Sequence, residues 1–311
     1  MSKTSIIKNF IIFVLKIESF MNILSVLKSL DFPKASPDMV RNILSKVDLV
    51  ATEFIISPQT VIIRARRGPN FYKKEDMTYR PIKLCQDYQR ASLPGSTMFY
   101  GVISDDQSHL ENARAICTLE CSTLCKEGLN SKGREAFTLS HWITKEPIRI
   151  CSFITDTTFP NVYNNRLLSI MRQSFIRTHH KEQSSEEIKN IVRFISDEFS
   201  KKVYNPIEYL ITATIASDVV NQSGIDGIVY PSVQLGGQAG LNIALSPNAV
   251  DEKLSFIRTF NQVLYKNKGN SFVRIEEVYE NGIWKKANHA TDLEVAHIID
   301  LNNIYSLPLI N

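Results

Sequence analysis

Two arginines in a β-branched segment have the spacing of an anion-binding group. Arg64 and Arg66 alternate within Val61-Ile62-Ile63-Arg64-Ala65-Arg66, so in a strand both side chains point to the same face. A guanidinium group can donate two parallel hydrogen bonds to a phosphate or carboxylate, and this pair is therefore suited to gripping an anion. The alternative interpretation is an exposed strand face.

Three further residues have positions that suggest chemistry. Glu120 shares a predicted helix face with Ile116 and Cys117, and a carboxylate on an apolar face lies at a surface edge or has a function. Tyr100 ends a predicted strand and is followed by a glycine, which leaves room beside its ring. Ser232 follows a Tyr-Pro pair at the end of another predicted strand.

Other candidate residues favour structural roles. Cys117, Cys121 and Cys125 fall at i, i+4 and i+8 of a predicted helix, whereas zinc and iron–sulfur sites use tighter Cys pairs on loops. We therefore expect buried thiols and no metal. The pair His179-His180 lies in a polar stretch that we interpret as a solvated linker. The sequence contains no nucleophile elbow, no Walker loop and no dinucleotide-binding glycine motif after a strand.

Composition excludes several classes of protein. The chain has 311 residues, 43% of them hydrophobic, and 36 basic against 32 acidic side chains give a net charge of +4. This composition is that of a globular protein, and the weak charge predicts no nucleic-acid partner. The apolar stretch 10–15 is far shorter than the roughly 20 residues of a membrane span, so we expect no membrane association. Five cysteines in a long chain are not typical of a disulfide framework and predict a cytoplasmic protein with reduced thiols.

Hydrophobic periodicity predicts alternating helices and strands. Helical spacing fills residues 1–50, where Ser36-Pro37 is a typical helix start. Further predicted helices cover 112–126, 186–202 and 207–222, and the predicted strands cover 58–66, 98–103, 138–143, 148–153, 227–232 and 240–245. A hairpin is predicted from 272–279 and 283–286 around Asn281-Gly282.

Taken in order, these segments resemble the RES family, which is named for its Arg, Glu and Ser. The matching pieces, which span roughly residues 55–247, are Arg64-Ala65-Arg66, Gln89-Arg90-Ala91-Ser92-Leu93-Pro94-Gly95, Met98-Phe99-Tyr100-Gly101, the helix from Ala113 to Glu120, Gly227-Ile228-Val229-Tyr230-Pro231-Ser232 and Leu241-Asn242-Ile243-Ala244-Leu245. Each piece is unspecific alone, and the order of the set carries the resemblance.

The resemblance implies an α/β (α+β) fold similar to that of ADP-ribosyltransferase toxins, with a split sheet and flanking helices around an NAD cleft. We therefore predict an N-terminal helical region over 1–54, an NAD-cleaving domain over 55–247, and a C-terminal extension with a β-hairpin over 248–311. Family members are typically toxins of bacterial toxin–antitoxin pairs that destroy NAD. This implies NAD as a substrate, no separate cofactor, and an antitoxin protein as a partner.

By position, the resemblance gives a catalytic role to Glu120, Arg64, Tyr100 and Ser232, and NAD contacts to Arg64, Arg90, Tyr100, Ser232 and Asn242. Cleavage of the nicotinamide–ribose bond passes through an oxocarbenium-like state that a carboxylate stabilises. The chain also departs from the family pattern through an insertion at 104–111, which leaves Glu111 as a rival carboxylate. The expected activity is NAD glycohydrolase. ADP-ribosyl transfer to a protein or to phosphate, and a non-catalytic binding module with the same fold, are the alternatives.

Overall fold

The computed structural model describes residues 23–47, 52–104, 110–128, 130–160, 165–181, 186–221, 224–232, 240–280 and 282–287. Helices and strands follow one another along these residues, which confirms the predicted α/β (α+β) class. Among the described residues, no helix combines the length and the apolar character needed to cross a bilayer.

The strands and helices are labelled here in chain order. The strands are β1 (Thr52–Ile56), β2 (Val61–Arg67), β3 (Phe99–Ser104), β4 (Lys132–Thr144), β5 (Ile148–Ser152), β6 (Gly227–Pro231), β7 (Leu241–Leu245), β8 (Leu254–Asn267), β9 (Asn270–Glu280) and β10 (Ile283–Lys286). The α-helices are α1 (Pro37–Leu44), α2 (Lys74–Met77), α3 (Leu110–Cys121), α4 (Thr123–Lys126), α5 (Arg166–Lys181), α6 (Glu186–Ser200), α7 (Leu210–Val220) and α8 (Pro247–Lys253). Residues 23–28 are also helical, and short 3₁₀ turns occupy Phe32–Lys34, Ile82–Leu84 and Pro206–Tyr209.

The chain divides into two compact units, and each is assembled from separated stretches. The first unit comprises Met1–Ile55, Arg80–Met98 and Arg149–Val233, and the second comprises Ile56–Tyr79, Phe99–Ile148 and Gln234–Asn311. The predicted domain boundaries after residues 54 and 247, and the split sheet similar to that of ADP-ribosyltransferases, stay predictions.

The first unit contains the strands β1, β5 and β6 in that order, with β5 and β6 parallel. The helices α6 and α7 pack against β6. The rings of Phe153 and Tyr230 lie 4.5 and 5.3 Å from the ring of Phe199, so aromatic contacts join strand and helix residues in this core. Arg41 on α1 pairs with Asp218 on α7 at 2.9 Å.

The second unit contains the strand order β7-β3-β2-β4-β8-β9-β10, in which the neighbouring strands are antiparallel. The helix α3 packs against β2 and β3. Its apolar face joins a core built from alternate residues of the strands, because every second side chain of a strand faces the same side. The buried members of that core are Ile63, Val102, Ala113, Ile116, Cys117, Phe137, Leu139, Phe260 and Leu264.

Strands β2 and β3 approach unusually closely at Gly101. A Cβ atom at this position would lie 2.7 Å from Cγ2 of Ile62 and 2.9 Å from the carbonyl oxygen of Ile63. Both distances are shorter than a normal van der Waals contact, and one of the two neighbours is backbone. Glycine is therefore required here by close packing, which the sequence had suggested only as free room beside Tyr100.

We expect the substitution Gly101→Ala to lower the free energy of unfolding by about 1–3 kcal/mol, the usual cost of forcing an extra carbon into a packed region. Urea unfolding measures this change. Gly269→Ala is the matched control, because no atom lies within 4 Å of the Cβ position there. Equal stability of the two variants would contradict the close approach of β2 and β3.

Most predicted elements are confirmed, with small shifts of their ends. Ser36 caps α1 by accepting a hydrogen bond from the amide of Met39 at 3.3 Å, as the Ser-Pro pair predicts. The predicted hairpin is formed by β9 and β10, although Asn281 of its turn lies outside the described residues. The predicted helical repeat of residues 1–22 also lies outside them.

Two predictions about helices are wrong. The single helix predicted over 112–126 is broken at Ser122, which is extended and caps α4 with its side chain. The interpretation of the His179 region as a solvated linker fails because α5 runs through it and His179 is only 1% exposed. Leu168, Met171, Phe175 and His179 are all buried at helical spacing, a pattern that the polar residues between them obscured.

Candidate functional site

Arg64 lies where β2 and β3 stop pairing. Their described ladder covers residues 61–63 against 102–104, and Arg64 is the next residue of β2. Its Nη1 donates a 2.9 Å hydrogen bond to the carbonyl oxygen of Tyr100, and its guanidinium lies over the ring of Phe99 at 5.0 Å. The arginine side chain thus connects the two strands directly beyond their short ladder.

The charge of Arg64 is incompletely satisfied. Its Nε is buried and has no hydrogen-bond partner in the described part of the chain, and no carboxylate there pairs with its guanidinium. Burial, followed by repulsion from Arg66, lowers the pKa of Arg64 to about 10. Arg64 is half-buried, and a buried donor of a cation is costly unless an anion or acceptor meets it. Arg64 is therefore the strongest anion-binding candidate in the second unit.

Glu120 lies near the C-terminal end of α3 and is partly buried. Its Oε1 accepts a 3.1 Å hydrogen bond from Nδ2 of Asn242. Asn242 on β7 is 7% exposed and lies opposite Val102 of β3, whose side chain packs in the α3 core. The strand amide therefore orients a helix carboxylate at the sheet face covered by α3.

Two thiols connect the surroundings of Arg64 and Glu120. Cys117 donates to the carbonyl oxygen of Ile63 at 3.0 Å, and Cys121 donates to that of Ala65 at 3.6 Å. Burial raises the pKa of Cys121 to about 11, with Arg64 lowering it and Glu120 raising it. Cys121 is thus within electrostatic reach of both groups. Arg64 follows Ile63 in β2 and lies against Phe99, so its side chain leaves the sheet on the face opposite to Ile63 and α3. Glu120 and Asn242 lie on the α3 face. These residues stand on α3 and on the neighbouring strands β7, β3 and β2, and we call Arg64, Tyr100, Glu120 and Asn242 the Arg64–Glu120 cluster.

Arg90 belongs to the first unit and has structural partners there. Its Nη1 donates to the carbonyl oxygens of Phe199 and Lys201, the latter at 3.1 Å, and its guanidinium lies over the ring of Tyr209 at 4.9 Å. These carbonyls lie at and just beyond the C-terminal end of α6, where a cation is favoured by the helix dipole. The predicted NAD contact of Arg90 stays a prediction, and a diphosphate would compete with these bonds.

Ser232 also belongs to the first unit, where it directly follows β6 and is 2% exposed. The catalytic role and the NAD contact predicted for Ser232 stay predictions. The same holds for Tyr100, whose expected NAD contact is stacking of its ring on nicotinamide. The side chain of Tyr100 is partly exposed, and its backbone carbonyl is the acceptor for Arg64.

The rival carboxylate Glu111 has different surroundings from Glu120. Its side chain is 87% exposed, and it pairs with Arg114 one helical turn away at 3.8 Å. An exposed pair of this kind contributes little energy and fixes the carboxylate weakly. The geometry therefore favours Glu120 over Glu111 as an oriented carboxylate.

One buried carboxylate was missed by the sequence reasoning. Glu135 on β4 is 1% exposed and accepts hydrogen bonds from the hydroxyls of Ser122 and Thr123 and from the amides of Thr123 and Leu124. Burial alone would raise its pKa, but these hydrogen bonds outweigh burial and hold the pKa of Glu135 below its usual value. Its role is structural, because it holds the start of α4. The available signal was its alternation with Phe137 and Leu139, both buried.

Within the described residues, no group of three or more His, Cys, Asp or Glu side chains is placed to hold a metal ion. Comparison with models of protein families finds no match for this chain, and comparison with curated proteins finds none either. The resemblance to the RES family therefore rests on the ordered motifs, and the class that the structure itself defines is an α/β protein, in which Asn242 orients the carboxylate of Glu120.

Proposed function

We propose that this protein is an NAD-consuming enzyme that cleaves the nicotinamide–ribose bond. The observation that carries the proposal is the state of Arg64, a half-buried cation whose buried Nε has no hydrogen-bond partner among the described residues, together with the carboxylate of Glu120 that Asn242 orients. A substrate with a diphosphate and a cationic glycosidic bond uses both groups. The short β2–β3 ladder also fits the split sheet that the RES resemblance implies.

Each residue of the Arg64–Glu120 cluster has a chemical task in this proposal. Arg64 meets the diphosphate, because its planar fork donates two hydrogen bonds to phosphate oxygens. Glu120 stabilises the positive charge that develops on the ribose as the bond from C1′ to nitrogen breaks and neutral nicotinamide leaves with the electron pair. A water molecule then adds to C1′ and loses a proton to the carboxylate, giving ADP-ribose. Asn242 keeps Glu120 in position, and Tyr100 offers a ring for stacking on nicotinamide.

The proposal extends to a biological role only through the resemblance. The biological role that the resemblance implies is that of a growth-inhibiting, cytoplasmic toxin with an antitoxin partner. Arg90 and Ser232 enter the same proposal as NAD contacts, by motif position. Co-expression with the product of the neighbouring gene tests the toxin role, since an antitoxin would restore growth and an unrelated protein would not.

The direct test is incubation of the protein with NAD, with nicotinamide and ADP-ribose separated by chromatography. Equal amounts of both products support a glycohydrolase. Nicotinamide accompanied by ADP-ribosylated protein, or by ADP-ribose carrying an added phosphate, would assign a transferase instead. A folded protein that binds NAD and releases no nicotinamide would be a binding module, and the enzyme proposal would be wrong.

We expect Arg64→Lys to lower kcat/KM for NAD by about 10- to 100-fold, which corresponds to a lost charged hydrogen bond of about 1.5–3 kcal/mol. Lysine keeps the positive charge but lacks the planar guanidinium, so a fall in kcat/KM would show that Arg64 makes two hydrogen bonds to the diphosphate. Arg66→Lys on the same strand is the matched control, because the proposal assigns the diphosphate to Arg64 and not to Arg66, which donates to the carbonyl oxygen of Thr78 at 3.3 Å. If the two variants behave alike, the role of Arg64 is refuted.

A further inference from the structure

A group of basic side chains, two arginines and one histidine, lies on the sheet face covered by α3, and it takes no part in the proposed cleavage of NAD. His141 on β4 lies directly opposite Ile63 of β2 and Arg258 of β8. Residues directly opposite each other in an antiparallel ladder share one face. Ile63 packs in the core beneath α3, so His141 and Arg258 face that helix as well.

Arg114 approaches the same place from α3. Its guanidinium lies over the ring of Phe260 at 5.7 Å, and the imidazole of His141 meets the same ring edge-on at 5.1 Å. Arg114 and His141 therefore lie on one aromatic ring, with Arg258 beside them on the neighbouring strand.

These three side chains present donors that the described residues leave largely unused. Nε2 of His141 is buried without a hydrogen-bond partner there, and the residue is 8% exposed. Arg114 is 17% exposed, its ion pair is the 3.8 Å contact with Glu111, and its Nε donates a long, 3.4 Å hydrogen bond to the carbonyl oxygen of Leu110. Arg258 is exposed and has no ion pair within the described residues. The two guanidinium groups and the imidazole thus have few hydrogen-bond acceptors among the described residues.

The two arginines and burial disfavour the charged form of His141 in the absence of an anion. Burial, then Arg258 and Arg114, lower the pKa of His141 to about 4. Burial is also the main reason that the pKa of Arg114 is lowered, while Glu111 raises this pKa and Arg258 lowers it by a smaller amount. An anion seated among these side chains would reverse the repulsion, because it favours the charged form of each group.

We propose that His141, Arg114 and Arg258 form a binding site for a phosphate-class oxyanion, either free phosphate or the phosphoryl group of a small nucleotide. Two guanidinium groups supply the fork donors that a tetrahedral oxyanion requires, and the imidazole supplies a third donor from the buried side. The site shares no residue with the Arg64–Glu120 cluster, so the test of phosphate binding is independent of the test of NAD cleavage.

Binding of inorganic phosphate, measured by calorimetry at constant ionic strength with chloride as the reference anion, tests the proposal. We expect Arg258→Gln to weaken phosphate binding about tenfold, the value of one modest charged contact. Lys132→Gln removes one exposed positive charge from the same strand as His141 and is expected to leave binding unchanged. No binding to the wild-type protein, or equal weakening by both substitutions, would overturn the site.

Nuclear magnetic resonance of the imidazole nitrogens provides a second readout that does not depend on any variant. Saturating phosphate is expected to raise the pKa of His141, since the anion stabilises the imidazolium form. An unchanged pKa at saturation would place the phosphate elsewhere and refute the site. AMP is compared with phosphate in the same experiment. Tighter binding of AMP identifies a nucleotide phosphoryl group as the ligand, and tighter binding of phosphate identifies the free ion.

Discussion

Replacing Glu120 by glutamine is expected to slow nicotinamide release from NAD by about 10³-fold while leaving the stability of the protein unchanged. Loss of a single preorganised group that stabilises transition-state charge has an effect of this order. Glutamine retains the shape of the side chain and an oxygen that can accept the 3.1 Å hydrogen bond from Asn242. The substitution therefore removes the negative charge and little else. The rate is measured with saturating NAD, so that it reports the chemical step.

Glu111→Gln is the matched control for this prediction. Both residues are on α3, but Glu111 is 87% exposed and, within the described part of the chain, is held only by Arg114. We expect a change of less than about twofold in this variant, because Glu111 is nine residues from Glu120 on α3, roughly 13 Å along the helix axis, and an exposed charge at that distance is well screened. A severe loss in Glu111→Gln together with normal turnover in Glu120→Gln would move the catalytic carboxylate to the inserted segment.

A substitution at Asn242 separates the effect of the position of the Glu120 carboxylate from the effect of its charge. Asn242→Leu removes the donor to Glu120 but keeps the carboxylate, so kcat is expected to fall while KM for NAD changes little. A fall of kcat by about tenfold is typical for the loss of one orienting hydrogen bond. Asn242 is a positioning residue in this view, and the NAD contact that its motif position implies stays a prediction, which a raised KM in this variant would support. An unchanged kcat would show that Glu120 is held by other contacts.

The elements around the Arg64–Glu120 cluster were predictable because their sequence patterns are local. Alternating or β-branched runs mark β2 and β3, and apolar periodicity marks α3. Arg64 stood out because a charged residue interrupts a strand that is otherwise suited to a core. The same reasoning could not find the break at Ser122. There the amides of the next turn donate to the buried carboxylate of Glu135, a residue on another element, and this interrupts the helix.

The partners of the arginines were the least predictable feature. Arg64 and Arg90 were equivalent candidates for a diphosphate in the sequence, yet they differ in what surrounds them. Arg90 donates to carbonyl oxygens at and beyond the end of α6, whereas Arg64 retains an unpaired buried Nε among the described residues. Arg90 and its acceptor Phe199 are more than 100 positions apart in the sequence. Local pattern carries no information about such pairs, because tertiary packing alone determines them.

Glu135→Gln is expected to lower the free energy of unfolding at pH 7 by about 3 kcal/mol, a typical cost of breaking a buried charged network. The carboxylate accepts four hydrogen bonds from the start of α4 and its cap, and Arg67 lies 3.4 Å from its Oε1. Glutamine can accept at only one atom, and its amide group would face hydroxyl and amide donors. Urea unfolding measures the loss, with exposed Glu127→Gln as the control that should change stability by less than about 0.5 kcal/mol.

The pH dependence of this loss distinguishes a charged network from simple packing. The folded pKa of Glu135 is lowered, so ionisation of Glu135 stabilises the fold above the carboxyl's ordinary pKa of about 4.5. That contribution decreases as the pH falls through the folded pKa, because the carboxylate is then protonated in both states. The stability difference between wild type and Glu135→Gln should therefore be full at pH 7 and should narrow below about pH 4.5. A difference that stays constant from pH 7 to pH 3 would mean that Glu135 stabilises the start of α4 by its shape rather than by its charge.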